Sequence, residues 1–395
     1  MKRKDILEHF YKTYVQPKSL LQLQKLDAYI KEHKEELAVD LILSLDKISK
    51  KAQEMQTAGT KNNIQYIVYQ VLRSEITNGG STCAIRVYDA SWYMDNQQCK
   101  TTYDASWALK YLHNFEQDIS QEAKRYVNQV FAGDIDIWKQ KELEKYIAYI
   151  AKLAKYAFST QHLPDNFDAI KKEEELYIHV GEYKDKSEVV HQHHTTKKEA
   201  EVLIEALQED RKEYMYECYR QLSIEDVDLR QKNFCYADFS HSKLLQDDYR
   251  GCTLLGANFK EASIENSDFS YSLLQESNFT DAQIFNVNLR NICAKIESPS
   301  SEYWYSPGLT GMNFTKSHLF HVGFQDATIP EATFQEAQLT EVNFTNADLT
   351  NANFEGANFT HVDFTGARME GTVFPEKALQ HIHLDKRQLQ AIRRV

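Results

Sequence analysis

The stretch TNADLTNANFEGANFTHVDFTGA (345–367) carries a large apolar residue at every fifth position: Leu349, Phe354, Phe359 and Phe364. Outward from it, the same beat runs from Ile224 through Leu289, lapses after Ala294, resumes at Leu309 and continues to Phe374. A period of five fits neither a helix at 3.6 residues per turn nor a flat strand at two. It suits a chain that turns a corner every five residues, and a repeat this regular decides the architecture of the C-terminal half. Two positions before each large residue sits a small one, such as Ala237, Cys252, Ala257, Ala347 or Ala352. One large and one small side chain per side fill a narrow interior. One position before is often Asn or Asp (Asn233, Asp238, Asp348, Asn353, Asp363), whose side chains bond to nearby backbone in tight turns.

A second period of twenty lies over the first. Phe239, Phe259 and Phe279 form one column of an expected core, and Phe324, Phe344 and Phe364 another. Four sides of five residues then make one coil. About seven coils at the strand spacing of ~4.8 Å give a rod on the order of 35 Å long.

The run 345–367 resembles the A(D/N)LXX consensus of pentapeptide-repeat proteins. The resemblance covers residues 222–374 and implies a right-handed quadrilateral β-helix. The expected fold class is α+β multidomain: a mostly helical N-terminal domain, the β-helix, and a short C-terminal helical cap. The family's quinolone-resistance and self-immunity members resemble a short rod of duplex DNA and bind type II topoisomerase. The resemblance therefore implies a DNA mimic with a protein partner. Those members lack a large helical N-terminal region, and none of their contact residues carries over to this chain.

Charge is uneven. The chain has formal net charge −12, and residues 222–374, with 21 Asp and Glu against 9 Lys and Arg, themselves account for −12. An acidic solenoid disfavours direct binding to nucleic-acid phosphates and favours a basic partner or solubility. No run of apolar residues is long enough for a transmembrane helix, and the start MKRKDILEHFYKTY lacks the apolar core of a secretory signal. The six cysteines have no CxxC spacing, so reduced thiols in a cytoplasmic protein are expected, with a Cys83–Cys99 disulfide left open.

Residues 1–196 read as a mainly helical domain with a few strands: helices over 3–58, 62–76, 102–115, 119–131 and 135–158, strands over 81–95, and a hairpin turning at 184–186. A linking helix over 197–221 is expected to cap the first coil. The tail 375–395, with Leu384, Leu389 and Ile392, is expected to cap the last, because an uncovered solenoid end exposes core and strand edges.

Candidates for chemistry are few. Tyr-Asp-Ala-Ser-Trp occurs at 88–92 and 103–107, and reads as a local duplication that uses Trp92 and Trp107 as core anchors. An active-site reading of it requires a deep polar pocket around both tryptophans. His191, His193 and His194 have no neighbouring ligand that completes a metal site, so no metal and no cofactor are expected. There is no P-loop, GxGxxG or kinase motif. An enzyme, if present, is confined to residues 60–195. The interruption 295–308 carries Tyr303, Trp304 and Tyr305 between prolines, and is read either as a protruding binding loop or as a loop whose aromatics fold back to cover a solenoid face. The overall expectation is a non-enzymatic protein-binding protein with no direct nucleic-acid or membrane contact. Its alternative is a scaffold whose solenoid is a rigid spacer or homodimer platform.

Overall fold

A computed structural model describes residues 2–196, 199–208, 213–296, 299–300, 308–380 and 382–395. The chain forms two compact units, Met1–Thr195 with Glu297–Leu309, and Thr196–Ile296 with Thr310–Val395.

The N-terminal unit opens with α1 (Arg3–Phe10), which passes through one π-helical turn at Tyr11–Val15 into the long α2 (Gln16–Thr57). Then come β1 (Ile64–Val71), α3 (Arg73–Thr77), β2 (Thr82–Tyr88), β3 (Cys99–Asp104), α4 (Ser106–Ala123), α5 (Ala132–Thr160), α6 (Asp165–Ala169), β4 (Lys172–Glu182) and β5 (Ser187–His194). The five strands form one sheet in the order β3-β2-β1-β4-β5. Only β1 and β4 run parallel.

One face of the sheet packs against the helices. Ile67, Tyr69, Val71, Cys83, Ile85, Val87, Leu176, Ile178 and Val180 join Leu41, Leu45, Leu109, Tyr146 and Ile150 in one core. The segment 62–76 is a strand and a short helix, not the single helix its apolar content suggests. Its residues Ile64–Val71 are rich in Ile, Val and Tyr, and six of the eight are buried, so no polar stripe marks its period. Likewise residues 102–104 close strand β3, and helix α4 begins only at Ser106.

The C-terminal unit starts with α7 (Ala200–Gln208), whose Leu203 is buried against the first coil. The coils begin earlier than the linking helix expected over 197–221 allows. Glu213 already bridges Asn233, and Tyr214 and Tyr219 stack on Phe234 and Phe239. Both tyrosines keep the five-residue beat.

One side of each coil is a short strand: β6 (Ser223–Glu225), β7 (Lys243–Leu245), β8 (Ser263–Glu265), β9 (Gln283–Phe285), β10 (His318–Phe320), β11 (Gln338–Thr340) and β12 (Asn358–Thr360). They form a parallel seven-stranded sheet in chain order. The other three sides pair by single bridges. At the corners a residue takes a left-handed φ, for example Gln231 (58°), Asn346 (59°) and Gly356 (70°), as turns with a positive φ require.

The Asn and Asp that precede each large residue form the expected local bonds. The Asp228 carboxylate accepts the Arg230 N–H, Asp238 that of Ser240, and Asp348 that of Thr350. Some small inward polar residues are satisfied from the coil before: the Ser272 hydroxyl donates to the Tyr249 carbonyl at 2.7 Å, and Thr372 to that of Leu349 at 2.8 Å.

Inside, Phe239, Phe259, Phe279, Phe324, Phe344 and Phe364 are all fully buried. Phe239, Phe259 and Phe279 do not end at the interruption. Their column continues through Phe314, Phe334 and Phe354 with ring planes 3–11° from parallel. Leu309, read as the resumption of the beat, is not part of the coil. Cys293 bridges Thr328 and Asn278 bridges Asn313, so Ala294 completes the third side and Phe314 the fourth. Leu309 is buried in the core of the N-terminal unit.

At the far end β13 (Val373–Phe374) pairs with β14 (Arg393–Arg394), and α8 (Lys386–Ala391) lies between them in sequence. The Gln388 amide donates to the carbonyls of Phe364 and Ala367 at 2.7 and 3.0 Å. Leu384 and Ile392 are buried against the last coil.

Candidate functional site

The outward positions of the solenoid are where a partner would be met. On the strand side, alternate residues point out. Phe285 and Phe320 are 46% and 39% exposed, and their rings stack at 5.1 Å with planes 3° apart. The sequence beat does not flag them, because it marks only inward residues. Their signal is a Phe one place after a beat residue, on a side that should be wet.

Charge on the other outward columns is mixed. Arg230 reaches both Asp228 and Asp248, Arg250 pairs with Asp248 at 2.6 Å, and Arg368 lies 3.4 Å from Asp348. Glu261 faces His241, Glu336 faces Lys316 and Glu341 faces His321 at the corners. The Arg230 guanidinium holds the Asp228 carboxyl down at about 2. The acidic surplus is therefore interleaved with cations: the stacked Asp228, Asp248 and Asp268 run beside Arg230 and Arg250.

One carboxyl points inward. Asp247 stands at a small inward position and is 1% exposed, with Oδ1 accepting the Val227 N–H at 3.0 Å. Its Oδ2 is buried with no partner among the described residues. Burial pushes its pKa up to about 7.

In the N-terminal unit the sheet face away from the helices carries a second feature. The two Tyr-Asp-Ala-Ser-Trp segments start alike, each at the end of a strand with the Asp accepting the Ser N–H two residues on. They then part. Trp107 enters α4, is buried, and donates its indole N–H to Tyr103 at 3.0 Å. Trp92 turns instead over the open face of the sheet, where its ring meets Tyr66 at 3.8 Å and His179 at 5.3 Å. The two tryptophans thus lie on opposite faces and share no pocket. Trp92 has φ 55°, a left-handed conformation that costs a bulky residue about 1–3 kcal/mol. Tyr88, Tyr93 and Tyr177 complete the cluster. Beneath it, burial pushes the His179 imidazole down to about 4, so it is neutral at physiological pH.

His191 and His193 share the helix side of β5, where their rings pack on Phe158 and Phe167. His194 lies 3.7 Å from Glu175. Among the described residues no group of three His, Cys, Asp or Glu is placed to hold a metal ion. All six cysteines are free thiols, Cys83 and Cys99 included, and burial pushes the Cys83 thiol up to about 12. No helix among the described residues is long and apolar enough to cross a membrane. Tyr303, Trp304 and Tyr305 lie outside the described residues.

The family model for pentapeptide repeats matches residues 252–291 and 337–374, in 8 copies. No curated protein matches the chain. Solved structures do. HetL, a pentapeptide repeat protein involved in heterocyst differentiation regulation from the cyanobacterium Nostoc sp. strain PCC 7120, is 16% identical, with 45% of this chain and 98% of that chain covered, at a TM-score of 0.20. Full-length QnrB1, a plasmid-mediated fluoroquinolone resistance protein, is 15% identical, with 46% and 91% covered, at 0.21. A pentapeptide repeat protein of the Arabidopsis thaliana thylakoid lumen is 24% identical, with 38% and 67% covered, at 0.11. The C-terminal unit is a solenoid of the pentapeptide-repeat family, carried on a chain whose N-terminal unit no family model matches.

Proposed function

We propose that this protein is a non-enzymatic protein-binding protein whose solenoid presents its seven-stranded side to a basic partner. The observation that carries this reading is the exposed Phe285–Phe320 stack. Two large aromatics held parallel on a rigid, flat side are typical anchors of a protein interface. Around them the acidic surplus of residues 222–374 steers a cationic partner. A type II topoisomerase is the basic partner that the family resemblance names. Mimicry of duplex DNA would be best served by unbroken acidic columns. The interleaving of Arg230, Arg250 and Arg368 with Asp228, Asp248 and Asp348 favours a mixed apolar and charged interface instead.

The test is a supercoiling assay with purified gyrase and full-length protein, with and without a quinolone, across salt. Salt-sensitive inhibition or protection, lost in a Phe285→Lys, Phe320→Lys double variant, supports the reading. No effect at any salt removes the topoisomerase from it.

A second reading, the scaffold, is favoured by the N-terminal unit. Trp92 is held in a strained turn over an aromatic sheet face that the solenoid does not need. In that reading the N-terminal unit is the functional head and the solenoid a rigid spacer.

A further inference from the structure

The segment after β2 folds over the open face of the N-terminal sheet before returning as β3, and leaves a pocket of about 200 Å³ beside it. Arg86, Tyr88, Tyr93, Gln97, Lys100 and Lys184 line that pocket. Arg86 and Lys100 stand directly opposite each other across β2 and β3. The Arg86 guanidinium lies over the Tyr183 ring at 4.7 Å, which fixes its plane. Its Nε is buried with no hydrogen-bond partner among the described residues, and so is Oε1 of Gln97. Deeper in, the fully buried Gln70 donates to the Tyr93 hydroxyl at 3.2 Å.

The electrostatics are one-sided. Asp95 is the acid among the lining residues, and it is already committed. It is ion-paired with the fully buried Lys61 and accepts the N–H groups of Asp89 and Gln97 at 3.0 and 2.8 Å. Arg86, Lys100 and Lys184 form no ion pair with a described residue. A buried guanidinium nitrogen without a partner is costly, and native structures rarely leave one unmet. The planar fork of Arg matches a carboxylate or a phosphate.

We infer that this pocket binds a small oxyanion-bearing molecule, a carboxylate or a phosphate compound, with Arg86 as its anchor and Lys100 and Lys184 at the rim. The pocket is smaller than the ~300–1,000 Å³ that takes a drug-sized ligand, which limits the occupant to a small metabolite. Tyr88, which hydrogen-bonds Arg86, and Tyr93, which accepts from Gln70, line its wall. The inference uses the N-terminal unit alone, so it stands or falls apart from the solenoid's partner.

Calorimetric titration of the full-length protein with inorganic phosphate and, separately, with malonate, both at ionic strength matched with chloride, tests it. One saturable site per chain for either anion is the expected result, and the anion that wins names the class. Arg86→Gln should weaken binding by at least about tenfold through loss of the charge-assisted pair. Lys184→Gln, on an exposed turn, should weaken it by roughly threefold. If circular dichroism shows that Arg86→Gln does not fold, the Lys184→Gln titration decides. No saturation by either anion above the chloride control overturns the inference. So does an Arg86→Gln affinity equal to wild type, or an unchanged Lys184→Gln affinity where that variant decides.

Discussion

Phe279 stacks on Phe314 with ring centroids 4.9 Å apart and planes 11° from parallel, across an excursion of the chain between residues 295 and 309. Ala294 completes the third side of its coil and Phe314 sits on the fourth. Removing residues 295–309 and joining Ala294 to Thr310 therefore keeps the five-residue spacing. The solenoid of that deletion variant should remain folded, with amides of 213–294 and 310–374 as protected from hydrogen exchange as in wild type. The N-terminal unit should lose protection, because Leu309 is part of its core and the Leu309 carbonyl accepts the Lys34 ammonium at 3.0 Å.

The aromatic columns lie in the buried core of the solenoid. Phe259 lies between Phe239 and Phe279, with planes 4° and 8° from parallel and no exposed surface. Phe259→Ala leaves a cavity in a close-packed interior and should cost about 3–5 kcal/mol. Denaturant unfolding should show a lowered midpoint for the solenoid transition and no change in the far-UV spectrum of the folded state.

Asp247 makes the solenoid weaker at alkaline pH. Its folded pKa, about 7, lies above the ordinary 3.8, so the fold prefers the protonated acid. Below about pH 4 the group is protonated in both states and carries no penalty. The penalty grows as pH rises from about 4 to 7 and is complete above that. Asp247→Asn should remove this dependence and stabilise the protein by about 1–3 kcal/mol at pH 8, with little effect at pH 4. Melting temperatures of both proteins across that range check it.

Gln388 closes the C-terminal end through two side-chain bonds to the carbonyls of Phe364 and Ala367. Gln388→Ala leaves the buried Ala367 carbonyl unpaired and the Phe364 carbonyl with only the Ala367 N–H, and should cost about 1–3 kcal/mol. Hydrogen exchange should quicken in the last coil, near Thr372 and Val373, and stay unchanged near Phe239.

The solenoid was legible because its physics is local. Each five-residue side repeats the same inward pair and the same Asx turn, so Asp348 or Asn353 announces its corner without reference to the rest of the chain. Two exceptions follow from the same logic. Tyr214 and Tyr219 keep the beat but sit in a stretch that also reads as helix, and Leu309 falls on the beat by spacing alone. In the N-terminal unit the deciding contacts are long-range. Ile64–Val71 is a strand because β2 and β4 flank it, and its burial leaves no polar stripe to mark its period. The two Tyr-Asp-Ala-Ser-Trp segments show the limit most clearly. The same five residues lead Trp107 into the core and Trp92 onto the opposite face, because α4 follows one and a turn follows the other. Arg86, Lys100 and Lys184 are far apart in sequence and carry no motif, so their pocket emerges only from the strand register.

We propose that the solenoid binds a basic protein through its seven-stranded side. The most direct test is biolayer interferometry of the immobilised full-length protein against a purified type II topoisomerase, at rising salt, for wild type and the Phe285→Lys, Phe320→Lys double variant. Saturable binding is expected, weakening as salt rises and falling by at least about tenfold in the double variant. No binding at low salt, or equal binding by wild type and the double variant, would contradict it.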